Sequence, residues 1–354
     1  MFRRMTELGS SRTRDTLDMS GEPRAPLVDS FRRRISYLRL SVTDRCDLRC
    51  TYCMPERMTF LPKREVLTLE ELYDLASGFI DRGVTKIRIT GGEPLVRRDI
   101  VDLIRALGRK LGEGLEELTL TTNATQLADH ADALVRAGLR RVNVSLDTLD
   151  RELFAKLTRR DALPRVLDGI AAAKASGLKV KLNAVALKGA NEEELPDLIG
   201  WAHGQGHEVT LIEVMPLGDV EEERLDQYLP LDTVRTRLEE RWTLTDNAAS
   251  TGGPARYVDV EETGGRLGFI TPHTHNFCDW CNRIRVTATG QLYPCLGGGE
   301  RVDLRAALRS DDPQEQLARA FDQAMLIKPE RHHFRMDERG ADPALVRHMS
   351  MTGG

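Results

Sequence analysis

"YLRLSVTDRCDLRCTYCMP", Tyr37 to Pro55, joins two readings in one stretch. Its first part belongs to a short β-rich apolar run. Its second part carries Cys46, Cys50 and Cys53 in a C-x3-C-x2-C spacing. The run decides the fold because it is the first of six: "ISYLRLSVT", "TKIRITGG", "LEELTLTTN", "RVNVSLD", "LKVKLNAVAL" and "EVTLIEVMP". Amphipathic stretches such as "TLEELYDLASGFIDRG", "RRDIVDLIRALGRKLG" and "LADHADALVRAGL" lie between them. Strands alternating with helices predict parallel βαβ units with right-handed crossovers, either as an open sheet or as an incomplete barrel. In both, chemistry sits at the C-terminal ends of the strands, where the three cysteines follow the first run.

The chain has 354 residues, enough for one large α/β domain with a smaller appendage. Forty per cent apolar and thirty per cent charged residues are ordinary for a globular protein. No apolar run approaches the roughly 20 residues of a membrane helix, and a net charge of −4 argues against a nucleic-acid partner. The first thirty-four residues hold eight arginines, but Glu7, Asp15, Asp18, Glu22 and Asp29 speak against a transit peptide. Residues 1–30 are expected to form a disordered leader, 31–249 the core and 250–354 a second region. That second region begins near residue 250, within "NAASTGGPARY", and predicts strands in "RYVDVEE" and "GRLGFIT". A hairpin is expected in "RIRVTATGQLYPC", turning at Thr289-Gly290. With no secretory segment the expected compartment is the cytoplasm, where six cysteines point to metal or redox chemistry rather than disulfides.

Three clustered thiols in a polar loop suit a metal better than a core. Structural zinc takes four closed ligands, and no histidine lies near this loop, His130 being the nearest. A [4Fe-4S] cluster fits three thiolates if one iron binds something exogenous. A second triplet, Cys278, Cys281 and Cys295, has the spacing C-x2-C-x13-C and is also one ligand short. Zinc completed by His273 or His275 of "PHTHNFC" is the alternative there.

Five strand positions carry cations where apolar residues are expected. Arg39, Arg88 and Lys181 stand singly in "YLRLSV", "KIRIT" and "VKLNAV". Arg283 and Arg285 alternate in "NRIRVT", so they share one face beside the second triplet. A buried cation needs an anionic partner. Internal ion pairs are one answer; five cations around two open clusters favour an anionic ligand such as a triphosphate, which the arginine fork suits. "GGG" at Gly297 to Gly299 lacks the Lys-Ser/Thr of a phosphate loop and reads as a linker.

The first triplet with Tyr52 before its last cysteine resembles the radical S-adenosylmethionine enzymes, and "TGGEP", Thr90 to Pro94, resembles their segment for the methionine amino group. Two triplets with "FCxxCNRIRVT", "YLRLSVTDRC", "KIRITGGEPLVRRD", "LTTN", "RVNVSLD", "GFIT" and a terminal Gly-Gly resemble the GTP 3′,8-cyclase family of molybdenum cofactor biosynthesis. The likeness runs from about Arg34 to the end of the chain.

The resemblance implies an incomplete (β/α)6 TIM-like barrel whose C-terminal extension carries a second cluster and closes the open side. It implies two [4Fe-4S] clusters and S-adenosylmethionine as cofactors, with Cys46, Cys50, Cys53, Cys278, Cys281 and Cys295 as metal ligands. Tyr52, Gly92, Ser145 and Met215 match the S-adenosylmethionine contacts. Arg39, Arg88, Thr121, Lys181, Arg283, Ile284 and Arg285 match the GTP contacts, Arg283 and Arg285 also being catalytic. The implied reaction takes hydrogen from C3′ of the ribose and closes C3′ on C8 of guanine, giving (8S)-3′,8-cyclo-7,8-dihydroguanosine 5′-triphosphate. The implied partners are a reducing electron donor and the cyclic pyranopterin monophosphate synthase that takes the product, the enzyme being a monomer or homodimer. The family's tail also reaches the active site, so Gly353 and Gly354 are expected there. Two departures stand out: Ala124 replaces the usual glycine after "TTN", and "EVMPLG" replaces an aromatic-containing version. The rival readings are a peptide-modifying radical enzyme, which would normally need more C-terminal cysteines, and a zinc-binding module without activity.

Overall fold

The computed structural model describes residues 25–218, 224–275, 277–332, 334 and 347–353. Six strands come first: β1 (Tyr37–Ser41), β2 (Lys86–Thr90), β3 (Glu117–Thr122), β4 (Arg141–Ser145), β5 (Lys179–Ala186) and β6 (Glu208–Glu213). Helices α1 (Leu69–Asp81), α2 (Ile100–Gly108), α3 (Leu127–Arg136), α4 (Arg151–Thr158), α5 (Leu163–Ala175) and α6 (Leu195–Gly204) connect them. Neighbouring strands pair in sequence order and all in parallel, so each crossover needs a helix. The first helix shows how the sequence sets the unit. Thr68 accepts the Glu71 backbone N–H at 3.1 Å and Glu71 accepts that of Thr68 at 2.8 Å, a capping box worth about 1 kcal/mol. The helix then buries Leu72, Leu75, Ala76 and Phe79 against the sheet.

The rest of the chain extends this sheet rather than building another. After α7 (Arg224–Gln227) and α8 (Leu231–Glu239) come β7 (Leu244–Asn247), β8 (Arg256–Val260) and β9 (Gly265–Ile270). They are followed by β10 (Arg283–Val286), β11 (Gln291–Tyr293) and β12 (Val302–Asp303), then α9 (Leu304–Leu308), α10 (Pro313–Leu326) and the short α11 (Met349–Thr352). Among the described residues one twelve-stranded sheet runs β12-β11-β10-β1-β2-β3-β4-β5-β6-β9-β8-β7. Strand β9 adds in parallel to β6, and β10 adds in parallel to β1. The C-terminal region therefore supplies one parallel strand to each edge of the six-stranded core. The segment between β9 and β10 must cross from one edge to the other, and it carries Cys278 and Cys281. This is an unclosed barrel with its extension across the gap.

Two boundaries differ from expectation. The division expected near residue 250 falls in the connection of the antiparallel β7–β8 pair, where a Gly- and Ser-rich composition marks a turn within one sheet. On the other side, the Phe79 and Phe321 rings stack at 4.1 Å, joining α10 to α1. Of the expected leader, residues 1–24 lie outside the described residues, whereas 25–30 are packed. Leu27 is fully buried and its backbone exchanges hydrogen bonds with Arg82 and Ile35. Asp29 pairs with buried Arg33 at 2.6 Å, and Arg33 donates to the carbonyls of Cys278, Pro329 and Glu330. The middle arginine of "RRR" is thus a clamp on the second cysteine segment.

Candidate active site

The first triplet leaves the end of β1 in a loop of turns, with all three cysteines free of disulfides and partly accessible. The Cys53 N–H donates to the Cys50 carbonyl at 3.0 Å, folding the loop back on itself. Asn123, just past β3, donates its side-chain amide to Cys46 Sγ at 3.7 Å and to Asp47 at 2.7 Å. Thr125 donates to the second oxygen of Asp47 at 2.6 Å. Burial pushes the Cys46 thiol up to about 12, helped by Glu93, Cys53 and Asp47. A bound metal reverses that balance by stabilising the thiolate.

The "TGGEP" loop packs against the cysteine loop backbone to backbone. A Cβ on Gly91 would stand 2.7 Å from the Thr43 carbonyl oxygen, and one on Gly92 would overlap that of Arg45, so only glycine permits the approach. Glu93 is fully buried. Its carboxylate accepts the N–H groups of Leu95 and Asn123 and the hydroxyl of Thr122, and burial raises it to about 7. It braces the loop to β3. The Tyr52 hydroxyl donates to Asp147, just past β4, at 2.6 Å. Ser145 ends β4 with its side chain exposed, and Met215, beyond β6, is half-buried on the wall of a cavity. The four positions matched to S-adenosylmethionine therefore lie at the C-terminal ends of β1, β2, β4 and β6.

That cavity gathers Arg39, Arg88, Lys181, Arg283 and Arg285 with Cys278, Cys281 and Cys295. Strand register explains the grouping: Arg39 stands opposite Arg88 on one side and Arg285 on the other. Among the described residues none lining the cavity is Asp or Glu. Nε and Nη2 of Arg39 and Nε of Arg88 are buried without a hydrogen-bond partner, as is the Thr121 hydroxyl on β3. Burial, then Arg88 and Arg283, bring Arg39 down to about 9; burial, Arg39 and Arg283 lower Arg285. Lys181 donates to the Tyr257 hydroxyl. Ile284 lies between the two arginines with its side chain buried in the core, and it is not among the residues that line the cavity.

Cys281 has two cationic neighbours, Arg283 Nη2 at 3.9 Å and Lys328 Nζ at 3.7 Å. Burial alone would raise this thiol, but the two cations outweigh it and hold it at about 7. The histidines proposed to complete zinc are engaged elsewhere. The His273 ring faces the Val214 carbonyl at 3.0 Å, and half-exposed His275 stands 3.8 Å from Asp232. Among the described residues no three His, Cys, Asp or Glu side chains converge as one ion requires. A cubane sets no such demand, since each thiolate binds its own iron.

The tail enters the same cavity. Met349 lines it, Ser350 and Thr352 are buried, and the Gly353 carbonyl accepts from Arg285 at 2.6 Å. Gly353 has φ +75° and a Cβ there would overlap Thr90; Gly354 lies outside the described residues. Arg347 fixes the tail, donating to the carbonyls of Gly298, Cys295 and Leu296 and stacking over Tyr293 at 4.1 Å. Gly297 and Gly298, expected as part of a linker, are both buried, and Gly297 lines the cavity. Asn123, Asp147, Tyr257, Lys328 and Arg347 were not anticipated; of these Asn123, inside "LTTN", and Asp147, the last residue of "RVNVSLD", sit in motifs that could have drawn attention.

Known proteins resemble this chain at the level of family and fold. Residues 40–202 match the radical SAM superfamily and residues 207–334 match molybdenum cofactor synthesis C. The chain is 74% identical over 328 residues to the GTP 3′,8-cyclase of Erythrobacter litoralis, covering 93% of this chain and 98% of that protein. It is 59% identical to that of Rhizobium etli, covering 93% and 94%. Among solved structures, Streptococcus suis SuiB bound to S-adenosylmethionine gives a TM-score of 0.56 at 18% identity, covering 78% of this chain and 64% of SuiB, under two thirds of its length. anSMEcpe with bound AdoMet gives 0.54 at 15% identity, covering 80% and 83%. These two show the fold alone. Two matching domain models and high identity along nearly the full chain settle the family: the chain belongs to the GTP 3′,8-cyclase family of the radical S-adenosylmethionine superfamily.

Proposed function

We propose that this chain converts GTP to (8S)-3′,8-cyclo-7,8-dihydroguanosine 5′-triphosphate, the first step of molybdenum cofactor biosynthesis, with S-adenosylmethionine and a [4Fe-4S] cluster at each cysteine triplet. The observation that carries the reading is the cavity itself: five cations, no carboxylate among the described lining residues, and buried guanidinium atoms without a protein partner. Unpaired buried cations are too costly to persist as packing. A triphosphate supplies the missing charge and suits the arginine fork.

When bound, the first cluster and S-adenosylmethionine supply the radical that takes the C3′ hydrogen. The chain's residues do the rest by placement. Arg39 and Arg88, paired across β1 and β2, and Lys181 on β5 hold the phosphates at the barrel's inner face. Arg283 and Arg285 reach the nucleotide from β10, and Arg285 also holds the Gly353 carbonyl beside it. The arrangement aims the ribose at the first triplet and the guanine at the second, and the tail fills the opening between them. Cys278, Cys281 and Cys295 would hold the second cluster, and an iron they leave unligated would bind the base. A reducing donor serves the first cluster, and cyclic pyranopterin monophosphate synthase takes the product.

Anaerobic turnover with GTP and S-adenosylmethionine tests this, read with iron and sulfide analysis and electron paramagnetic resonance. Cyclised nucleotide from protein holding two clusters is the expected result. Active protein with stoichiometric zinc, or two-cluster protein that leaves GTP unchanged, would overturn it.

A further inference from the structure

Lys328 follows α10 in "LIKPE" and is only 2% exposed. Its ammonium donates to the carbonyl of Pro294 at 2.6 Å and to that of Arg283 at 3.0 Å, and lies 3.7 Å from Cys281 Sγ. Pro294 directly precedes Cys295, and Arg283 opens β10. One side chain therefore ties together the two ends of the β10–β11 hairpin and a cysteine of the second triplet. Among the described residues no carboxylate forms an ion pair with it. Two neutral carbonyls satisfy its hydrogens but not its charge, and a buried ammonium without an anion is unfavourable. The remaining neighbour is the Cys281 sulfur, which becomes anionic when it ligates iron. The first triplet differs here: the donor to Cys46 Sγ is the neutral amide of Asn123.

Hydrogen bonds to ligand sulfurs and local net charge set a cluster's reduction potential, and groups behind the ligands fix their direction. We propose that Lys328 is a positioning residue of the second triplet: it donates a charge-assisted hydrogen bond to Cys281, holds Cys281 and Cys295 towards one site through the hairpin carbonyls, and raises the potential of the cluster bound there. The inference rests on the two-cluster reading above.

The test is a redox titration of anaerobically reconstituted full-length protein, wild type and Lys328→Met, followed by electron paramagnetic resonance. Methionine keeps the length of the side chain and removes its charge. The second cluster's signal should move to lower potential while the first cluster's stays in place, with iron content near wild type. An unchanged second potential in a variant holding both clusters overturns the inference and leaves the two-cluster reading standing. Wild-type protein with iron for one cluster removes both. If Lys328→Met folds poorly or fails to load, wild-type protein grown with lysine carrying the heavy nitrogen isotope decides. A nitrogen coupling on the reduced second cluster is expected, and its absence overturns the assignment.

Discussion

The two cysteine triplets share an incomplete ligand set, but different charged side chains stand beside their sulfurs. Around the first stand the carboxylates of Asp47, Glu93 and Asp147. Around the second stand Arg283 and Lys328, both on Cys281. The thiols record the contrast: burial with Glu93 and Asp47 pushes Cys46 up to about 12, while Arg283 and Lys328 overcome burial and hold Cys281 at about 7. Negative surroundings favour the oxidised, less negative state of a cluster, which suits a centre that must give its electron away. On the two-cluster reading proposed above, positive surroundings would suit a cluster that shares a cavity with a polyanion, and the same ligand chemistry would serve two tasks.

The largest expected effect is a split between the sites. Serine at Cys46, Cys50 or Cys53 should abolish cleavage of S-adenosylmethionine. Serine at Cys281 should leave some uncoupled cleavage and lose the cyclised nucleotide. Quantifying 5′-deoxyadenosine and cyclised product together checks this, and equal loss of both in Cys281→Ser would erase the division of labour.

The tail bridges the two regions, since Gly353 touches Thr90 on the first side and Arg285 on the second. Deleting Gly353 and Gly354 should leave both clusters and GTP binding largely intact while product formation collapses, because small displacements are costly in a positioning problem. Full-rate turnover of the truncated enzyme would reduce the tail to packing. On the cationic side, Arg283→Ala and Arg285→Ala should each weaken GTP binding roughly ten- to hundredfold, from about 1.5–3 kcal/mol per charged hydrogen bond. Calorimetric titration beside thermal melting separates this from the ion-pair explanation, which predicts unchanged affinity and a large loss of stability.

Lys181 gives the cavity a pH signature. Burial, reinforced by Arg141, Arg88 and Lys86 against the pull of Glu208, brings its ammonium to about 7. A triphosphate raises that value, so binding above about pH 7 takes up a proton and GTP affinity should fall by up to about tenfold per pH unit. Lys181→Met should flatten the profile relative to wild type. Parallel profiles for the two proteins would show that Lys181 keeps its charge without the nucleotide.

The six alternating strands and helices, both triplets and the five cations were legible because each is local: a short apolar run, a spacing, a cation in an apolar run. Residues that shape the sites from afar were not. Lys328 meets Cys281 across 47 positions, and Arg33 meets the Cys278 carbonyl across 245; neither lies in a motif. The expected boundary near 250 mistook a hairpin connection for a linker because loop composition is the same in both. The leader was drawn six residues too long because its arginines suggested solvent, and the Asp29–Arg33 pair that buries one of them appears only in three dimensions.

The smallest effect tests how firmly the first region is held. Ala124 stands where the family usually has glycine, and its φ is +63°, a left-handed conformation that costs a residue with a Cβ about 1–2 kcal/mol. The loop enforces it. Asn123 and Thr125 both bind Asp47, the Ala124 N–H donates to Thr122 at 3.0 Å, and the Leu127 N–H donates to the Ala124 carbonyl. Ala124→Gly would relieve the strain but lower stability by about 0.4–1 kcal/mol through a freer unfolded chain. The net expectation is a gain of about 0–1.6 kcal/mol, or a melting shift of about 3–6 °C at most. The second cluster's spectrum should not change. A loss of more than about 1 kcal/mol would mean that the buried methyl contributes more by packing than its backbone strain costs, and that the Asn123–Asp47 brace is not what holds this turn.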